Sequence, residues 1–193
     1  MPKFYLVIIL SFCVYISATA QQKMNKNSKL HYVGNFQIGL ANGSAEKNEW
    51  ALHVVNGMAY KNWFVGLGGG IDQYANKRSL PFYMALQKEF LHTKHRPFLY
   101  SNIGYNISWL KQGQKSNSLP SYKELNGWYY DIGVGYKYIF FSNTALGISA
   151  GYSLKQQGEQ YTANGSFPPP SQNFPEKYEY IFRRMLIKFN YWF

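Results

Sequence analysis

Ile181-Phe182-Arg183-Arg184-Met185-Leu186-Ile187-Lys188-Phe189-Asn190-Tyr191-Trp192-Phe193 carries a two-residue rhythm that decides how the rest of the chain is read. Ile181, Met185, Ile187, Phe189, Tyr191 and Phe193 share one parity, and Phe182, Arg184, Leu186, Lys188, Asn190 and Trp192 share the other. Successive side chains of a strand point to opposite faces, so the segment offers one face suited to hydrocarbon and one suited to a polar interior. A helix would have mixed the two.

The same split recurs upstream. Phe36, Ile38 and Leu40 alternate with Asn35, Gln37 and Gly39. Trp128, Tyr130, Ile132, Val134, Tyr136, Tyr138 and Phe140 alternate with Asp131, Gly133, Gly135 and Lys137. Period-two alternation predicts strands at residues 31–41, 49–60, 62–73, 79–91, 96–110, 126–140, 144–155 and 178–193. The connections 42–48, 74–78, 111–125 and 156–177 are long, polar and rich in Gly, Asn, Ser and Pro, whereas Lys61, 92–95 and 141–143 are short. Long loops at one end and tight turns at the other are the pattern of an outer-membrane barrel, with the turns on the periplasmic side. In the second segment the outward parity of Trp50, Leu52, Val54, Met58 and Tyr60 also sends Asn56 toward lipid, beside Gly57. The sequence predicts a β-bulge there, in preference to an Asn-Gly hairpin turn.

Composition narrows the classes. The 193 residues are 46% hydrophobic and 15% charged, enough for one buried core. Aromatics reach 19%, yet mean hydropathy is −0.34, and past residue 30 no apolar run approaches the roughly 18 residues of a spanning helix. Cys13 is the only cysteine, which excludes a disulfide scaffold and a Cys-based zinc site. A net charge of +11 suits nucleic acid or an anionic membrane surface and does not choose between them. Residues 1–20 read as a secretory signal peptide: a cationic start at Lys3, an apolar run from Phe4 to Ile16, and Ala18-Thr19-Ala20 before the cleavage point. Phe12 before Cys13, where a small residue is needed, and the place of Cys13 within the apolar run argue against a lipoprotein site. Residues 21–30 are then a short periplasmic lead-in and 31–193 the barrel.

Unpaired backbone groups cost several kcal/mol each in hydrocarbon, so strands cross a bilayer only as a closed barrel. The expectation is therefore all-β: an eight-stranded antiparallel up-and-down transmembrane β-barrel. Trp50, Tyr60, Trp63, Trp109, Trp128, Tyr138 and Tyr191 fall near strand ends, as aromatic girdles do. A soluble lipocalin-like barrel also alternates, but the polar parity here carries Asp72, Glu89, Asp131, Lys137, Arg184 and Lys188 within strands, which a hydrated, ion-paired lumen accepts. Inward glycines, among them Gly39, Gly57, Gly66, Gly68, Gly70, Gly104, Gly133, Gly135, Gly147 and Gly151, leave room for Phe64, Tyr83, Phe98, Tyr100 and Tyr129 to fill the interior.

Taken together, Ala18-Thr19-Ala20, the run from Asn56-Gly57 through Gly66-Leu67-Gly68-Gly69-Gly70, the strand start Leu80-Pro81-Phe82 and the terminal Ile187 to Phe193 resemble the porin-like outer-membrane β-barrel domain family, which includes the small OmpA/OmpX-type barrels. The resemblance spans residues 30–193. It implies a bacterial outer-membrane location with both termini periplasmic, insertion with the help of periplasmic chaperones and the barrel-assembly machinery, and an assembly signal in Phe189, Tyr191 and Phe193.

Catalytic chemistry finds little purchase. Gly66 to Gly70 lacks the Lys-Ser/Thr and the helix of a phosphate loop, and the aromatics follow a membrane rhythm rather than a nucleic-acid stacking platform. A lipid-A-modifying barrel needs a His base beside a Ser nucleophile near the outer rim. His31, His92 and His95 fall at the wrong end, and only His53 remains, better read as a hydrogen-bonded lumen histidine. No catalytic residue, cofactor or metal is assigned. Lys111, Lys115, Lys123, Lys155 and Lys177 in or beside the outer loops are candidates for meeting phosphates of outer-membrane lipid and lipopolysaccharide, and Phe167-Pro168-Pro169-Pro170 for a stiff polyproline II segment. The expected role is structural, surface-interacting or adhesive, as a monomer with a side-chain-filled lumen. The other readings are a lipid-A acylase or acyltransferase and lateral passage of a small apolar solute.

Overall fold

The computed structural model describes residues 30–43, 49–73, 77–110, 122–141, 144–162 and 175–193. Nine strands lie within them: β1 (Leu30–Gly43), β2 (Glu49–Tyr60), β3 (Trp63–Gln73), β4 (Lys77–Glu89), β5 (His95–Leu110), β6 (Tyr122–Leu125), β7 (Gly127–Phe141), β8 (Thr144–Thr162) and β9 (Pro175–Trp192). Every pairing is antiparallel. β6 and β7 both pair with β8 and are separated only by Asn126, so they act as one stave, and β9 pairs with both β8 and β1. The result is a closed eight-stranded barrel, above which β6 and residues 175–183 of β9 pair with β8 alone. No helix among the described residues is long and apolar enough to cross a membrane, and closure satisfies the strand backbones by pairing around the cylinder.

Alternation sorts the side chains as the sequence predicts. Leu40, Leu67, Met84, Ile103, Val134, Ile148, Met185 and Ile187 lie exposed on the outer wall. Aromatic rings flank this aliphatic band: Trp50, Tyr105 and Trp128 toward the loop end, and Tyr60, Trp63, Phe140 and Tyr191 toward the turn end. Phe64, Tyr83, Phe98, Tyr100 and Tyr129 are buried inside. The inward glycines make this possible: a Cβ on Gly68 would meet the Tyr83 ring at 2.5 Å, and one on Gly135 the Phe98 ring at 2.2 Å. The β1–β9 seam that closes the barrel runs from Asn35↔Trp192 to Gly43↔Arg184 and ends at Gly34 and Phe193, which exchange backbone hydrogen bonds of 2.9 and 3.0 Å while the Phe193 ring covers the space a Gly34 side chain would occupy.

Four details differ from expectation. Asn56-Gly57 is neither a bulge nor a turn, since β2 pairs with β1 and β3 in unbroken register. The amide is instead satisfied on the outer wall, where the Tyr32 hydroxyl donates to Asn56 Oδ1 at 2.6 Å. Leu80-Pro81-Phe82 does not start a strand, because β4 begins at Lys77. Pro81 has no N–H, and the β3–β4 pairing stops at Gly69↔Phe82 and resumes at Asp72↔Ser79 in the same register. The β2–β3 connection is the two-residue turn Lys61-Asn62, with Lys61 in the left-handed region at φ 54. Finally, β8 and β9 run to Thr162 and from Pro175 in register from Ala145↔Trp192 to Thr162↔Pro175. At roughly 3.3 Å per residue and a tilt of about 40°, strands of 19 and 18 residues rise some 45 Å, well past a hydrocarbon band of about 25 Å. The apolar outward face ends where Gln156, Gln160, Lys177 and Glu179 take that parity, so the predicted strands stop short of the observed ends.

Candidate functional site

Three tiers of charge cross the lumen, each built by strands from different sides of the barrel. Toward the loop end, β3 presents Asp72 to the Lys155 ammonium on β8 and to His53 Nε2 on β2 at 2.8 Å, while Glu49 at the start of β2 pairs with Arg184 on β9. In the middle, Asp131 on β7 accepts from Lys188 Nζ at 2.5 Å, Tyr129 Oη at 3.1 Å, Asn102 Nδ2 at 3.2 Å and Tyr100 Oη at 3.2 Å. Toward the turn end, Glu89 on β4 accepts from Lys137 Nζ and Arg96 Nη1, both at 2.8 Å.

Aromatic rings fill the space between the tiers. Tyr83 and Tyr129 meet at 5.1 Å between centroids, and Phe98 meets Trp192 edge-on at 5.6 Å. The ammonium groups also sit over rings, Lys188 at 4.1 Å from the Tyr100 centroid and Lys137 at 4.9 Å from that of Trp192. A buried charge is tolerable only when paired and hydrogen-bonded. Asp131 and Lys188 meet that condition at 0% and 1% exposure.

All six lumen residues singled out in the sequence, Asp72, Glu89, Asp131, Lys137, Arg184 and Lys188, are buried on the inward parity. Two direct pairs form among them, Glu89–Lys137 and Asp131–Lys188. Asp72 and Arg184 instead take partners that sequence reasoning did not assign to the lumen, Lys155 and Glu49. Lys155 is thus a correction: it is buried against Asp72 and does not stand in an outer loop. The signal that could have found it is its odd parity within the predicted strand 144–155, shared with Ser149 and Ser153. Lys177 is exposed and pairs with Glu179 at 2.6 Å. Lys111, Lys115, the Lys123 side chain, residues 1–20 and Phe167 to Pro170 lie outside the described residues. Phe189 and Tyr191 are exposed on the outer wall, and Phe193 covers Gly34.

His53 is 1% exposed and engaged at both nitrogens. The tautomer that satisfies both has Nε2–H donating to Asp72 Oδ1 and the Tyr83 hydroxyl donating to Nδ1 at 3.1 Å. Its bonded hydroxyl belongs to a tyrosine, while the Ser79 hydroxyl donates to Asn106 Oδ1 instead. His95, at the turn end, meets the Tyr136 hydroxyl at 2.5 Å. Asn35 Oδ1, Gln37 Oε1 and both side-chain polar atoms of Gln157 have no protein partner. The cavity beside Gln37 and Lys188 is about 20 Å³, room for a single water.

No protein-family model and no curated protein matches this chain. Solved structures do. Neisserial surface protein A superposes over 86% of this chain and 96% of its own with a TM-score of 0.54 at 10% identity. The outer membrane protein OprG from Pseudomonas aeruginosa gives 85%, 95% and 0.52 at 11% identity. Outer membrane protein AlkL, determined in lipid bilayers, gives 89%, 93% and 0.51 at 12% identity. At such identities the likeness concerns the fold alone, that of the small eight-stranded outer-membrane barrels.

Proposed function

We propose that this chain is an integral protein of the bacterial outer membrane, closed to solute flow and without catalysis, that holds its long strands and outer loops at the cell surface for an interaction or adhesion role. In this reading the turn end faces the periplasm and the tall β8–β9 wall rises outside. The observation that carries it is the filled middle tier. Tyr83, Tyr129, Asp131 and Lys188 are at most 1% exposed, so an ion would have to displace a fully bonded charge pair to pass. The likeness to a protein described as a neisserial surface protein agrees with it. His53, bonded on both nitrogens away from lipid, supports the absence of lipid-modifying chemistry.

Purified protein in planar bilayers tests the closed lumen: no steady single-channel current is expected, and large persistent conductance would sink the reading. Mass spectrometry of lipid A from cells with and without expression tests the second part. An identical profile is expected, and a new lipid species lost in His53→Ala would replace this proposal with an enzyme.

A further inference from the structure

We infer that the outer wall at the β2–β3 turn holds the phosphate of an anionic glycerophospholipid between Lys61 and Lys88. Parity places Lys88 on the outside of β4, in register with Trp63 on β3 and Leu99 on β5, one step beyond the lipid-facing Leu86. Its ammonium lies 4.2 Å from the Trp63 ring centroid, and that of Lys61 lies 5.3 Å from the Tyr60 ring. Tyr60 and Trp63 are themselves a registered pair, each almost half exposed. Two ammonium groups and two amphipathic rings therefore share one patch at the level of the aromatic belt, where headgroups sit.

The patch is held in shape. Lys61 takes the left-handed conformation of a two-residue turn, and the Glu89 N–H donates to the Asn62 carbonyl at 2.8 Å, tying that turn to the strand that carries Lys88. It is also uncompensated. Among the described residues neither lysine pairs with a carboxylate, whereas Lys137, Lys155, Lys177, Lys188, Arg96 and Arg184 all do. Glu89, the nearby acid, is turned into the lumen and occupied by Lys137 and Arg96.

The charge complement of such a patch is a lipid phosphate with no cation of its own. A phosphatidylcholine headgroup brings a trimethylammonium that the two lysines repel. A phosphatidylglycerol headgroup has only its phosphodiester charge and hydroxyls, and its glycerol and upper acyl carbons lie against the rings. This inference rests on the membrane reading of the outer wall.

The full chain, folded into nanodiscs of equal phosphatidylglycerol and phosphatidylcholine, is released and its retained lipids are counted by native mass spectrometry, with heat-modifiable gel migration reporting the folded fraction. At about 1 kcal/mol per lysine near a membrane surface, retention favours phosphatidylglycerol by roughly five-fold for each lysine. Lys61→Gln and Lys88→Gln each remove part of that preference, and together they bring it to parity. Lys61→Arg with Lys88→Arg retains it, and Lys177→Gln at the loop end leaves it unchanged. Equal retention by the natural protein, a preference for phosphatidylcholine, or a preference that survives the double glutamine variant overturns the inference. Failure of the natural protein to fold into the mixed bilayer breaks the membrane reading beneath it.

Discussion

The barrel has a short half and a tall half, and their interiors carry opposite charge. β2, β3 and β4 are 12, 11 and 13 residues long, and the described charges they turn inward are the acids Glu49, Asp72 and Glu89 beside His53. β7, β8 and β9 are 15, 19 and 18 residues long and turn Lys137, Lys155, Arg184 and Lys188 inward against Asp131 and Glu159. Three ion pairs join one half to the other: Glu49–Arg184, Asp72–Lys155 and Glu89–Lys137. Neither half could bury its inward face alone without stranding charge, so closing the barrel and neutralising its lumen are one event. The wall differs as well: β8–β9 pairs in one uninterrupted register, while β3–β4 is broken opposite Pro81.

The largest effect is expected at the pair inside the tall half. Asp131→Ala strands Lys188 and removes the acceptor of Tyr100, Tyr129 and Asn102, a cost of about 3–5 kcal/mol. Urea titration of the protein folded in vesicles measures it, and adding Lys188→Met recovers most of the loss. No recovery would mean that the rings, not the charges, set the stability of this tier. Glu89→Ala breaks a bridge between the halves nearer the turn end, where Arg96 and Lys137 keep 27% and 11% exposure. Water can reach those cations, so about 1–3 kcal/mol is expected from the same titration. A loss equal to that of Asp131→Ala would show that bridging the halves outweighs depth.

Gly135→Ala tests the packing rather than the charge of the tall half. The added methyl meets the Phe98 ring, and overpacking of this kind costs about 1–3 kcal/mol, read from the urea midpoint. An unchanged midpoint would mean that Phe98 swings freely and the interior is not filled there. The smallest effect concerns the wall. Gly70 and Ile71, facing the interrupted pairing beside Pro81, should exchange their amide hydrogens faster than the middle of β8. Pro81→Ala restores a donor worth about 1 kcal/mol and should slow that exchange by roughly five-fold. Equal exchange in the natural protein would remove the contrast between the two seams.

Much of this was legible before any coordinates, for a reason visible in particular residues. Where one face meets hydrocarbon, as with Ile187 and Phe189 beside Lys188 and Asn190, alternation is strict and strand, face and lumen follow together. Asp72, Glu89, Asp131, Lys137, Arg184 and Lys188 were readable as inward by parity alone. Beyond the aliphatic band that constraint lapses, so Gln156 to Thr162 and Pro175 to Lys177 read as loop, and Lys155, the last residue of the predicted strand, reads as facing it. Asn56 misled in the opposite sense, because the Tyr32 hydroxyl that makes it acceptable on the wall comes from the neighbouring strand.

What the sequence determined by itself was the class: strands with one greasy and one polar face, too short of apolar helix to cross a membrane otherwise, and therefore a cylinder. What only the tertiary structure decided was the pairing, meaning which acid meets which cation, which ring covers which glycine, and where the ladder breaks. Parity is a local property of each strand, carried by every second residue. Partnership across a lumen depends on strand tilt and register around the whole circumference, which no single stretch of chain contains.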